Sequence, residues 1–262
     1  MGHPRQTAMY RVLELAQDFL LTLIIWTYYI ASFIVFFSFL YIFSSFFAKN
    51  RELAFQKLNA SFFRTFFRVL RIFLPRVSWH IGHDVETIRS SVIITNHLSF
   101  LDPIFLVSLF PKQKTVVKSR YFIMPVFGWI LKSSGYIPAF ARGEDTEILL
   151  EQVGKMKHYF SAGGNLFVFP EGTRSRTGKL GSFDKGAFRI ARQCNAPLKI
   201  LLIKGTGNLY PPDSFLFQTR KKIKISVELV KTIIPLHENN PESISATIAE
   251  AKMSLNDGLT RP

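Results

Sequence analysis

SVIITNHLSFLDPIFLVSLF, residues 91–110, decides how this chain folds. The run SVIIT is short, apolar and β-branched, and reads as a buried strand. Pro103 and the apolar run behind it predict a helix that starts near Asp102. Between them lies TNHLSFLDP, a strand-to-helix turn at the carboxyl end of a strand, where open α/β sheets place their sites. The rest of the body repeats the alternation. TVVK (115–118), NLFVFP (165–170), LKILLIKG (198–205) and KIKISVELV (222–230) read as further strands. In DTEILLEQVGKMKHYFSAGG, Leu149, Val153, Met156 and Phe160 mark one helical face, with Asp145 as N-cap and Gly163 just past the end. A tail from Pro241 reads as a short surface helix. Strands alternating with helices predict an α/β domain with a mostly parallel sheet flanked by helices.

Ahead of this body stands a different kind of sequence. Phe19 to Ala48 is an uncharged run of 30 residues, where a single membrane span needs about 20. One long tilted helix, or two shorter helices that enter one leaflet and return, both fit. The run is too long and too Phe-rich for a cleaved signal peptide. Residues 51–75 read as a basic amphipathic helix: Phe62, Phe63, Phe66, Phe67, Leu70 and Phe73 recur at steps of three and four, and Arg64, Arg68 and Arg71 take another face. Such a helix suits the headgroup boundary, which is the favoured reading, and an ordinary packing helix with solvated arginines is the bland alternative. The chain therefore divides into an N-terminal membrane-embedded helical segment, 1–77, and a domain over 78–262.

The net charge is +15. Arg5, Arg11, Glu14 and Asp18 cancel within residues 1–48, so the whole excess follows the apolar run. That asymmetry places the body on the cytoplasmic side of a membrane and predicts a polyanionic partner. An anionic membrane fits better than nucleic acid, because the basic residues interleave with membrane-type apolar runs and no recognition motif accompanies them. Cys194 is the single cysteine, so no intrachain disulfide forms.

Two loops carry chemistry. His97 and Asp102 are five apart, too far for one helix face, but across a turn the carboxylate can reach an imidazole N–H and raise the basicity of the other nitrogen. Ser99 completes a Ser–His–Asp set on paper. It lacks the G-x-S-x-G elbow of an exposed serine nucleophile and lies two residues from its own base. A capping Asp with a buried His is the bland alternative. The second loop, in NLFVFPEGTRSRTG (165–178), breaks a strand into Pro170, Glu171, Gly172, Thr173, Arg174 and Ser175. Amides freed by a glycine turn, beside an arginine and hydroxyls, form a cradle for phosphate. A general base and an anion clamp at two strand ends suit acyl transfer to a phosphorylated alcohol.

NHLSFLD resembles the N-H-x4-D motif of the glycerolipid acyltransferases, and FPEGTRS resembles their F-P-E-G-T-R-S motif, about 75 residues downstream. The resemblance covers roughly residues 80–205. Two further blocks match in part. Gly135, Tyr136, Ile137 and Pro138 precede Arg142, but Ala141 replaces the common aspartate and the arginine comes one residue late. APLKIL keeps Pro197 and has Ile200 where a second proline is usual. The resemblance implies transfer of an acyl group from acyl-CoA or acyl carrier protein to the hydroxyl of a lysophospholipid, with 1-acyl-sn-glycerol-3-phosphate the leading acceptor and a lyso-ornithine lipid another. It implies His97 as base and Asp102 as its orienting partner. Glu171, Gly172, Thr173, Arg174 and Arg142 would bind the acceptor, and neither metal nor redox cofactor is needed. Two other readings stand beside it: a membrane esterase using Ser99, and a non-enzymatic module that binds anionic lipid through its basic helix.

Overall fold

The computed structural model describes residues 4–139, 144–235 and 241–260. Helix α1 (Pro4–Ser32) runs through a π-helical turn (Phe33–Phe37) into α2 (Ser38–Phe47). The apolar run is thus one continuous helical rod. Leu13–Phe47, 35 residues, is long and apolar enough to cross a membrane. At about 1.5 Å per residue it measures roughly 50 Å. The rod ends at Ala48, whose backbone turns extended. Asn50 then caps α3 (Arg51–Phe73) by accepting from the Leu53 N–H at 2.9 Å, and the chain doubles back.

The body is a seven-stranded sheet ordered β1-β7-β6-β2-β5-β3-β4. The strands are β1 (Val77–Ile81), β2 (Val92–Thr95), β3 (Gln113–Lys118), β4 (Ile137–Ala139), β5 (Asn165–Val168), β6 (Leu198–Lys204) and β7 (Ile223–Ile233). All pairs are parallel except β6 with β7. The connecting helices are α4 (His83–Glu86), α5 (Leu101–Leu109), α6 (Phe127–Ser133), α7 (Glu144–Ser161), α8 (Gly186–Gln193), α9 (Thr206–Leu209) and α10 (Pro241–Thr260). Alternate residues of the central strands serve two cores. Ile93, Phe167 and Leu201 face Leu101, Phe105, Phe66 and Leu70 of α5 and α3. Val92, Leu166, Ile200 and Leu202 face Met156, Phe188 and Leu255 of α7, α8 and α10.

The expected strands are all present. Two more, β1 and β4, were not expected. β4 contains Pro138, which removes a ladder donor, and it lies at the sheet edge, where that loss is tolerated. Helix α7 begins at Glu144, so Asp145 stands inside it, and Gly163 takes the left-handed φ of +85° just beyond its end.

The place of α3 is a correction. Its aromatic stripe does not face headgroups. Phe55, Phe62, Phe66, Phe67 and Leu70 are buried in protein, against α1, α2 and α5. An apolar face at helical spacing suits a bilayer or a core equally, and here α5 and the N-terminal rod take it. Only Ile72 and Phe73, near its end, stay exposed. Polar locks hold the helix on the body. The Lys114 ammonium is buried, pairs with Glu52 at 2.9 Å and donates to Gln152 Oε1 at 2.7 Å. Gln56 and Asn59 donate to the Ser134 carbonyl and hydroxyl, each at 2.9 Å. Burial pulls the Lys114 pKa down, and the Glu52 charge opposes that shift.

The first helix is fixed to the body too. Asp18, buried, accepts from the Thr219 N–H (3.0 Å) and hydroxyl (2.6 Å) and pairs with Arg220 at 3.1 Å. Thr22 Oγ1 accepts from the Phe217 N–H at 3.0 Å, and Ile25 is fully buried. The opposite face, with Phe19, Leu23, Ile30 and then Phe36, Phe39 and Phe43 of the later turns, is exposed. The boundary near residue 77 is therefore not a seam in the packing. One side of the rod is protein and the other is bare hydrocarbon.

Candidate active site

β2 and β5 are neighbours, with Ile94 opposite Val168, so the two loops emerge side by side at the carboxyl edge of the sheet. Beyond Thr95 the chain leaves the ladder, but Asn96 continues it with its side chain. Its amide donates to the Ile203 carbonyl at 2.8 Å and accepts from the Ile203 N–H at 2.9 Å. This fastens the start of the loop to β6 and aims the next residue outward.

That residue is His97. Its Nδ1 lies 3.0 Å from Asp102 Oδ2, and its ring lies against Phe169 with centroids 4.3 Å apart. Asp102 sits in the first turn of α5 and is fully buried. Its Oδ2 also accepts from the Leu98 N–H (2.6 Å) and the Ser99 N–H (2.7 Å). One carboxylate oxygen therefore shapes the turn and fixes the imidazole tautomer, leaving Nε2 to take a proton. Asp102 Oδ1 is buried without a protein partner.

Ser99 is not placed as a nucleophile. It is fully buried, its hydroxyl donates to the Tyr210 carbonyl at 2.7 Å, and it accepts from the Leu101 N–H. It is a strut between the loop and the segment after α9. Ser99→Ala is expected to leave turnover within about threefold of wild type and to cost about 1–3 kcal/mol of stability, the usual worth of two such bonds. Loss of all product formation in a folded Ser99→Ala protein would restore the esterase reading.

The second loop is stitched to the first. The Ser175 N–H donates to the His97 carbonyl at 2.7 Å. The Glu171 carboxylate accepts from the Gly181 N–H at 2.9 Å and the His97 N–H at 3.4 Å, so it spans both loops. Gly172 has φ +65° with open space around it, so its backbone conformation rather than crowding calls for glycine. Thr173 and Arg174 stand exposed, whereas Arg176 is engaged by Asp213 at 3.2 Å. Burial raises the Tyr210 phenol pKa, and the Arg174 charge opposes that shift. Arg142 lies outside the described residues. Among the described residues no group of three or more His, Cys, Asp or Glu is placed to hold a metal.

Beside the base, aromatic residues link the loop to the membrane rod. Trp26 of α1 touches Phe100 (6.0 Å between centroids) and Tyr210 (6.1 Å). Phe100 is next to Ser99 and partly exposed. Sequence reasoning passed over Asn96, Trp26 and Tyr210. Asn96 stood inside the quoted motif, but nothing local marks its partner on β6, and the other two meet the site only through the fold.

Comparison with known proteins finds acyltransferases. The acyltransferase family model matches residues 76–203. A chloroplastic 1-acyl-sn-glycerol-3-phosphate acyltransferase of Brassica napus is 37% identical over 47% of this chain and 35% of its own length. A 1-acyl-sn-glycerol-3-phosphate acyltransferase of Saccharomyces cerevisiae is 33% identical over 57% of this chain and 50% of its own. The chain thus spans about a third to a half of the length of these relatives. In fold, it is similar to the crystal structure of the 1-acyl-sn-glycerophosphate acyltransferase PlsC from Thermotoga maritima. The TM-score is 0.68, with 94% of this chain and 99% of that chain covered at 23% identity. The acyltransferase match contains both loops, and the relatives are of one named kind, so over this stretch the chain is similar to the glycerolipid acyltransferases.

Proposed function

We propose that this protein is an O-acyltransferase that moves an acyl group from a thioester, acyl-CoA or acyl carrier protein, to the free hydroxyl of 1-acyl-sn-glycerol-3-phosphate, giving phosphatidic acid. The observation that carries the reading is the pair of bonds made by His97: Nδ1 to Asp102 Oδ2, and its carbonyl to the Ser175 N–H of the anion loop. The base and the phosphate site are thereby held in one rigid unit. Relatives named for this reaction support the choice of acceptor.

In the proposed reaction His97 Nε2 takes the hydroxyl proton as the acceptor oxygen attacks the thioester carbonyl. The tetrahedral intermediate collapses, the C–S bond breaks, and the imidazolium returns its proton to the departing thiolate. Asp102 stabilises the imidazolium between these steps. Thr173, Arg174 and the amides around Gly172 hold the phosphate. Glu171 serves as the brace between the loops. Its oxygens already accept from two backbone amides, and an ionised carboxylate against a phosphate would repel it. No metal or redox group enters this scheme.

The bare face of the Leu13–Phe47 rod associates the protein with a membrane. We place the body on the cytoplasmic side, because Lys49, Arg51, Lys57 and Arg64 follow the rod closely. Because the rod lies along the body from Asp18 to Tyr41, the arrangement favours a protein seated in one leaflet over a domain hung from a perpendicular span.

The test is a panel of lysolipid acceptors against labelled acyl-CoA and acyl carrier protein. The expected result is product only with an acceptor, fastest with 1-acyl-sn-glycerol-3-phosphate. Release of free fatty acid at the same rate without any acceptor would overturn it. Arg174→Ala is expected to raise the acceptor KM at least tenfold with a smaller change in kcat. An acceptor dependence identical to wild type would remove Arg174 from the clamp.

A further inference from the structure

The segment between β3 and α6 has no part in the reaction scheme, yet it is the most exposed apolar stretch outside the helical rod. Ile123 is 82% exposed, and Met124, Val126, Phe127 and Trp129 are exposed as well. Monomeric proteins seldom leave such a cluster bare.

It is not a loose loop. Phe122 is buried and packs with Leu131 and Tyr136. The Met124 N–H donates to the Tyr121 carbonyl, and the Gly128 N–H to the Met124 carbonyl at 2.8 Å. A side chain at Gly128 would strike the Phe122 carbonyl, since an added Cβ would lie 2.2 Å from its oxygen. Val126 takes φ +59°, ψ −58°, a tight turn that a β-branched residue adopts only under constraint. The fold therefore closes this turn firmly while its large aliphatic side chains project into solvent.

Three observations name the occupant. First, the loop adjoins the end of the membrane rod: Trp129 meets Phe55 of α3 edge-on at 5.1 Å, and Ile130 shares a buried cluster with Phe55 and Tyr41 of α2. Second, it follows β3, which runs parallel to β5, so it emerges at the same sheet edge as His97 and the 170–175 loop. Third, its rim is basic. Lys118, Arg120 and Lys132 are exposed, and from Pro103 to Gly143 the chain contains no acidic residue. Apolar tips ringed by cations, with Trp and Tyr121 at their base, suit an anionic bilayer surface.

We infer that the turn from Ile123 and the first residues of α6, to Trp129, form a second membrane-inserting element, seated among the acyl chains of an anionic phospholipid leaflet. With the rod it gives the body two separate points of contact, which fixes the tilt of the site-bearing edge toward the lipid. The inference does not depend on the acyltransfer reading.

The test uses the full chain with Cys194→Ser and a single new cysteine, labelled with an environment-sensitive fluorophore. One variant is Ile123→Cys, the other Asn256→Cys on the exposed side of α10. Each is purified in detergent and reconstituted into phosphatidylcholine vesicles with and without phosphatidylglycerol. The expected result is a blue-shifted emission at 123, at least fivefold more quenching by brominated lipid than at 256, and a larger effect with phosphatidylglycerol present. Equal accessibility of both probes to aqueous iodide on vesicle-bound protein would overturn the inference. A blue shift at 123 that already appears in detergent with the mass of a dimer would overturn it also, in favour of a second copy of the chain.

Discussion

His97→Ala is expected to lower acyl transfer by about 10²–10⁴-fold, the usual contribution of a positioned general base. Vesicle binding and the far-UV spectrum should stay as in wild type. The separation of the two effects follows from the contacts. The imidazole touches Asp102 and Phe169 and lies partly open, so its removal leaves both cores intact. Asp102 still accepts from the Leu98 and Ser99 amides, so the turn keeps its shape without the ring. Initial rates with labelled thioester, beside circular dichroism and vesicle flotation, check it. Full activity in a folded His97→Ala protein would remove His97 from the reaction.

Asp102→Asn should be nearly as damaging to rate and more damaging to stability. Asparagine can keep one oxygen near the Leu98 and Ser99 amides, but it cannot stabilise an imidazolium by charge. Its amide group would then occupy the buried position of Oδ1, which has no protein partner, and leave two donors unsatisfied. Hydrogen bonds to a charged acceptor are worth about 1.5–3 kcal/mol. A loss of that size corresponds to a fall in Tm of several degrees for a chain of this length. The two residues act as a unit, so the double variant His97→Ala/Asp102→Asn should turn over no more slowly than His97→Ala alone. Additive rate losses would mean that Asp102 acts on the reaction independently of the histidine.

The site was legible because its chemistry is local. His97, Asp102 and the 170–175 loop sit directly after apolar strands, and strand ends are where such sheets expose side chains. The central strands were legible because both faces are buried, which leaves nearly unbroken apolar runs such as VIIT and LFV. What escaped has physical reasons. β4 carries a proline that only its edge position tolerates. α3 has a stripe that fits lipid and protein equally, and what decides between them is the presence of α1 and α5 at its flank. The bonds of Glu171 to both loops were not legible, because its two amide partners lie 74 residues upstream and 10 residues downstream. The Ile123 turn went unread because a short apolar run between a strand and a helix has the same composition whether it points inward or outward.

Under the proposed function, Asp18 bears on how lipids would be selected. By clamping the rod to Thr219 and Arg220, while Trp26 rests on Phe100 and Tyr41 donates to Asn59 at 2.5 Å, the fold removes any hinge between the hydrocarbon-facing helix and the base. On a flexible tether the base would sample a range of heights above the leaflet and blur any preference for chain length. Here its height is a constant of the helix. Adding one residue between Trp26 and Tyr41 would advance everything beyond it by about 1.5 Å and turn it by about 100°. Under the proposed function the rod would serve as a gauge as well as an anchor, its length in residues setting the height of the base.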